Sequence, residues 1–291
     1  MNNIIISGFS DEIDKCFDTQ LKTATALGMD HICLRSADGK GIAEYTLEEF
    51  KNALMPQLDK YNVKVSSLGS PIGKVKIDDE EGFEKQLNQL HTLCQIAKEV
   101  NCKYIRVFSF YIPEGDDFTK YTSEVIRKLT QFVDIAAQYE IVLIHENEKD
   151  IYGDIKERCL EILSTINSPY FKAAFDFANF VQCGEDTKVC YDLLKDFVAY
   201  IHIKDAVSSD NDNVPCGTGE GKIAEILRQA IVEDGYEGFL TLEPHLVIFD
   251  SLKDLEIKDT SEIIKEAKAK DGADGYRIQY EALTNILNNI K

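Results

Sequence analysis

Short runs of apolar and β-branched residues recur at Ile4 to Ser7, His31 to Arg35, Val63 to Leu68, Tyr104 to Phe108, Ile141 to Glu146, Phe171 to Asp176, Val198 to Ile203 and Gly238 to Glu243. Each has the length of a buried strand, and between them the apolar positions switch to a helical period. Phe17, Leu21 and Ala24 share one helix face, as do Phe83, Leu87, Leu90, Cys94 and Ala97. Val125, Leu129, Phe132 and Ala136 form another such face, followed by Cys159, Ile162 and Ile166. Thr46-Leu47-Glu48-Glu49 reads as a capping box, and the helix it opens must bend or restart near Pro56. Eight strands alternating with helices imply parallel pairing through right-handed crossovers and closure into an α/β barrel of the (β/α)8 type. A last helix with Tyr276, Tyr280, Leu283, Leu287 and Ile290 on one face completes the ring. An open doubly wound sheet is the structural alternative.

Length changes this picture little, because 291 residues with 44% hydrophobic content suffice for one large core. Residues 1–291 are expected to form a single domain, with an insertion at about 249–275 that carries a short helix over the barrel mouth. Charge removes whole classes of partner. Thirty-two basic against 51 acidic residues leave a net charge of -19, which repels phosphate backbones and anionic membranes. Neither nucleic acid nor a membrane is an expected partner. The opening Met-Asn-Asn-Ile-Ile-Ile-Ser lacks a basic n-region and a cleavage site, and no apolar run is long enough to span a bilayer, so a cytoplasmic location is expected. Eight scattered cysteines without a Cys-x-x-Cys pair read as reduced structural thiols, with Cys216 singled out only because it sits beside glycines in an expected active-site loop.

Four strand ends carry the chemistry. Glu146, Asp176, His202 and Glu243 close the fifth to eighth runs, 30, 26 and 41 residues apart, and active-site groups in a barrel come from this C-terminal face. Any one of these carboxylates could instead cap the following helix, and His202 could be a hydrogen-bonded core residue. Capping does not explain all four at consecutive strands. Three carboxylates and an imidazole suit one divalent ion with open coordination positions, Mn²⁺, Mg²⁺ or Co²⁺ first, with Zn²⁺ also able to bind.

These segments, His145-Glu146-Asn147-Glu148, the strand-six Asp176, His202-Ile203-Lys204-Asp205, Leu242-Glu243-Pro244 and Gly217-Thr218-Gly219-Glu220-Gly221, resemble the sugar phosphate isomerase/epimerase family of xylose isomerase-like TIM barrels. The resemblance covers essentially the whole chain and implies a metal-dependent isomerase or epimerase. The endonuclease branch and the ketose 3-epimerases place a His three residues after the strand-six Asp, where this chain has Asn179, and the ketose 3-epimerases add an Arg six residues after the strand-seven His, where it has Ser208. The endonuclease branch also needs an Asp-x-His pair that is absent here. Five histidines in all and the negative charge argue further against a trinuclear zinc nuclease.

The expected substrate is a small hydroxy-carbonyl compound, a sugar or sugar derivative, with Glu146 and Glu243 removing and returning a proton beside the carbonyl through an enediolate. Lys74, Arg35, Arg106, Asn179 and Glu220 are expected to meet the substrate, Lys74 and Arg35 through a phosphate or carboxylate. Lys204 and Asp205 are expected to orient His202 from behind. A dehydratase-type lyase shares the first step and stands second. A non-catalytic sugar-binding barrel stands third. The chain admits a homo-oligomer, and its oligomeric state is not legible.

Overall fold

The computed structural model describes residues 3–249 and 267–290. All eight runs form strands: β1 (Ile4–Gly8), β2 (His31–Leu34), β3 (Lys64–Leu68), β4 (Tyr104–Val107), β5 (Val142–Glu146), β6 (Phe171–Asp176), β7 (Val198–Ile203) and β8 (Gly238–Leu242). They pair in parallel and in chain order around one sheet, with β8 returning to β1 from Ile4↔Gly238 to Gly8↔Leu242. β1 meets β2 through the parallel bridge Phe9↔Cys33, so the barrel is nearly closed.

The helical faces read from the sequence are the ones that pack on the strands. Phe17, Leu21 and Ala24 are buried, as are Phe83, Leu90, Cys94 and Ala97, and all of Val125, Leu129, Phe132 and Ala136. The capping box at Thr46 is formed in both directions, and its helix stops at Ala53. A second helix, Met55–Tyr61, restarts with Pro56 in its first turn, where a missing N–H removes no hydrogen bond. The final helix, Gly272–Asn289, buries Tyr276 and Leu283. Gly8 makes room for it, since a Cβ there would lie 1.8 Å from the Tyr276 hydroxyl. Of the insertion expected at 249–275, residues 250–266 lie outside the described residues, and 272–275 are the first turn of this helix.

Strand alternation sorts the barrel interior into layers. Val142, Ile144, Ala174 and Tyr200 form a small apolar cluster, with Tyr104 and Phe239 against it. The Tyr200 hydroxyl gathers Ser66 at 2.8 Å, Ser67 at 3.0 Å and Thr241 at 2.6 Å. Two residues further along β4 to β8, on the same side of each strand, come Arg106, Glu146, Asp176, His202 and Glu243. The period of two that leaves tyrosines and aliphatics in the interior therefore delivers charge at its C-terminal end.

Candidate active site

Glu146, Asp176, His202 and Glu243 converge, each fully buried, with one ligand-type atom apiece within 4.8 Å of the others. Asp176 and His202 are register partners on adjacent strands. His202 Nδ1 lies 3.0 Å from Glu146 Oε1, 3.5 Å from Glu243 Oε2 and 4.0 Å from Asp176 Oδ2. Asp176 performs both roles open to it in the sequence. Its Oδ1 accepts from the Asn179 N–H at 2.8 Å and caps the helix Phe177–Gln182, while Oδ2 faces the cluster without a hydrogen-bond donor. Glu243 Oε2 is likewise buried with no hydrogen-bond partner. Two unsatisfied carboxylate oxygens aimed at one imidazole nitrogen make a donor set that could hold a divalent cation.

The charges say the same. The ion-pair network joins Asp11, Glu12, Glu146, Asp176 and Glu243 to Arg35, Arg106 and Lys204. Among these side chains, five carboxylates against three cations leave two negative charges, which a divalent ion would cancel. Without one, protons relieve the excess. Burial raises Asp176 to about 7, and Glu12 to about 8. Burial also acts on Glu146 and Glu243, but His202 and Arg106 draw the first down to about 2, and Lys204, His245, His202 and Arg35 hold the second well below the carboxylate range. Two of the carboxylates thus stay ionised while two others hold protons near neutrality.

This separation makes a pH prediction for the metal-free protein. Asp176 and Glu12 bind a proton more tightly folded than unfolded, so stability must fall as pH rises toward their folded values. Buried neutral His145, lowered to about 3, and His245, held well below 6.5, act in the opposite sense, but only up to the unfolded histidine value. Between about pH 6.5 and 8 only the loss remains. Thermal unfolding in chelator should show the midpoint dropping across this window and Mn²⁺ suppressing the drop. A midpoint that rises or stays flat would remove this account of the site's protons.

The remaining sequence candidates divide. Asn179 donates through Nδ2 to Glu146 Oε1 at 3.3 Å, which places it in the site. Lys204 stands beside Asp176 Oδ2 at 3.7 Å, and not behind His202. Asp205 is a correction: its carboxylate accepts from the N–H groups of Ala206, Gly217, Gly219 and Gly221 at 2.8 to 3.0 Å, and His202 Nε2 has no hydrogen-bond partner. A Cβ at Gly219 would meet Asp205 Oδ1 at 2.5 Å, so the glycine loop is wrapped on this carboxylate. Glu220 accepts from the Ser208 N–H, outside the buried cluster. Arg35 and Arg106 face the chain's own carboxylates: Arg106 Nη1 is 2.9 Å from Glu146 Oε2, and Arg35 Nη1 is 2.9 Å from Glu243 Oε1. Neither guanidinium is turned to receive an anionic substrate group. Burial pushes the Cys216 thiol well up, and all eight cysteines are free.

Lys74 lines open space at the mouth. A cavity of about 610 Å³ lies between the loops after β3, β4 and β5, with Lys74, Tyr111, Phe118, Glu148 and Lys149 in its wall. Gly73 sets this position, since its φ of +91 and the 2.0 Å approach of the Phe108 carbonyl to a would-be Cβ exclude any side chain. Lys74 Nζ reaches Glu148 Oε2 at 3.3 Å and lies over the Phe108 ring. The four clustered residues do not line this cavity; Glu148, two residues beyond Glu146, connects the two regions.

Three further residues meet the cluster only in the folded barrel. Asn147 exchanges hydrogen bonds with the Asp176 backbone at 2.9 and 3.0 Å, tying the ends of β5 and β6 together. Glu12 accepts from the His245 N–H at 2.7 Å, and the His245 ring stands 3.5 Å from Glu243 Oε1. For Asn147 and Glu12 the available signal was their position just beyond a strand end. His245 shares that position, but strand alternation does not anticipate the left-handed backbone, φ 47, at which its ring faces Glu243.

Residues 21–279 match the family described as xylose isomerase-like TIM barrels. The chain belongs to that family. A 3-dehydroshikimate dehydratase of Bacillus anthracis is 22% identical over 128 residues, 44% of this chain and 46% of the relative's own length. Among solved xylose isomerase-like barrels, an IOLI protein with a zinc atom superposes with a TM-score of 0.74 at 15% identity, over 100% of this chain and 99% of that one. The D-allulose 3-epimerase from Methylomonas sp., in complex with D-allulose, gives a TM-score of 0.69 at 15% identity, over 99% and 98%. At these identities the structures establish the shared barrel alone. Among the described residues no helix is long and apolar enough to cross a membrane.

Proposed function

We propose that the protein is a divalent-metal-dependent isomerase or epimerase acting on a small hydroxy-carbonyl compound, a sugar or sugar derivative. The observation that carries this reading is the matched disposition of two glutamates. Glu146 gives one oxygen to Arg106 and turns the other to His202; Glu243 gives one oxygen to Arg35 and turns the other to the same nitrogen. Glu146, Asp176, His202 and Glu243 would hold the ion, which supplies Lewis-acid polarisation of a carbonyl. In the metal-free protein both glutamates are held ionised near neutrality, so each presents a carboxylate. One carboxylate takes the proton from the carbon beside the carbonyl; the carboxylic acid so formed returns it to the adjoining carbon in an isomerisation, whereas an epimerisation needs the other glutamate to enter the cycle protonated and to deliver its proton to the opposite face, the first glutamate then losing its proton to solvent. The arginines hold each carboxylate in one orientation, Asn179 donates to Glu146, and Lys74 in the cavity wall offers a positive charge to the distal part of a substrate.

A lyase is the second reading, favoured by the similarity to the Bacillus anthracis dehydratase. It shares the proton abstraction and then expels a hydroxyl. The test is proton NMR in D₂O of Mn²⁺-loaded protein with a panel of ketoses, keto-inositols and 3-dehydroshikimate. Deuterium entering beside the carbonyl with every hydroxyl retained is the expected result. Loss of water would move the protein to the lyases, and no exchange across the panel would count against both readings.

A further inference from the structure

Beyond Glu243, the loops after β1 and β8 build a second cluster. Glu12, Glu243 and His245 bring ligand-type atoms within 4.8 Å of one another, all buried. His245 Nε2 has no hydrogen-bond partner and points between Glu12 Oε1 at 3.4 Å and Glu243 Oε1 at 3.5 Å. Two carboxylates and an unpartnered imidazole nitrogen form a cation-binding donor set in their own right.

Arg35 stands at this place. Its Nη1 lies 2.9 Å from Glu243 Oε1, Nη2 lies 3.4 Å from Glu12 Oε1, and Nε donates to Asp11 Oδ2 at 2.8 Å. The guanidinium lies over two rings, 4.5 Å from the Phe9 centroid and 5.1 Å from that of Phe249. It cannot lose its proton, and its planar fork is already spent on three carboxylates.

We propose that Arg35 is the resident cation of this second cluster, occupying the place of a second divalent ion and confining the mouth to one. A divalent ion using Glu12 and Glu243 would have to approach the same oxygens at roughly 2.0–2.6 Å, which puts it against the guanidinium in a buried site where water does not screen the repulsion. By engaging Glu243 Oε1, Arg35 also leaves Oε2 as the oxygen that faces His202. This inference rests on the metal-dependent reading above and adds that the chain carries a latent second site.

The test is ion stoichiometry by elemental analysis after equilibrium dialysis against excess Mn²⁺. Wild type should hold one ion per chain, Arg35→Gln should hold two, and adding Glu12→Gln to that variant should return it to one. Arg35→Lys, which keeps the charge, should stay at one. A folded Arg35→Gln that holds a single ion overturns the proposal, as does a wild type that holds two. A wild type that holds none removes the metal reading itself, so the two failures are distinct. Should Arg35→Gln not fold, the single variant Glu12→Gln decides: an unchanged single ion supports Arg35 as the resident cation of that cluster, and loss of the ion overturns it.

Discussion

Glu146→Gln and Glu243→Gln are each expected to lower kcat by roughly 10²–10⁴-fold, the scale of a general acid–base group. The amide keeps an oxygen that can face His202, so part of the metal affinity should survive, and elemental analysis should find the ion in both variants. The two losses should differ in kind. A remaining carboxylate can still wash a proton in and out on its own side, so each variant should exchange solvent deuterium into one stereoisomer, with opposite preferences. The arginines sharpen this expectation. The Glu146→Gln change leaves Arg106 without its 2.9 Å carboxylate partner, and Glu243→Gln does the same to Arg35, although Arg35 keeps Asp11 and Glu12. Thermal unfolding of both variants separates a lost base from a disturbed fold. Turnover unchanged in both would remove these glutamates from the chemistry.

Replacing His202 with Asn is expected to weaken divalent-ion affinity by roughly 10²-fold or more. His202 Nδ1 is the common neighbour of the three carboxylates, and the shorter Asn side chain withdraws that donor from the centre of the cluster. The substitution also leaves space beside the Phe9 and Tyr200 rings, which pack edge-on to the imidazole at 5.1 and 5.6 Å. Mn²⁺ titration followed by the thermal midpoint reads both effects, since the metal-free midpoint reports packing and the ion-dependent rise reports binding. An unchanged rise would make His202 a core histidine and dissolve the four-residue site.

How far the chain could be read depended on whether a feature is local in sequence. The eight strands and the packed helix faces follow from the periods of apolar residues, and the restart at Pro56 from a ring that cannot donate. Glu146, Asp176, His202 and Glu243 were legible for the same reason, because a strand end in a parallel barrel has one destination. Partner choice was not. Arg35 looks like an anion receptor along the chain and Arg106 like a substrate contact, yet each donates at 2.9 Å to a carboxylate 40 or more residues away. Asp205 neighbours His202 in sequence but faces the glycine loop, whose converging backbone N–H donors satisfy it better than one imidazole could. Asp11 and Glu12 from the β1 loop meet Glu243 on Arg35, and His245 joins through Glu12, only where β8 lies against β1. Alternation and strand ends are properties of a backbone period and can be counted along one dimension. Which buried charge meets which is set by the need to neutralise all of them at once, and that balance exists only when the barrel mouth has been assembled.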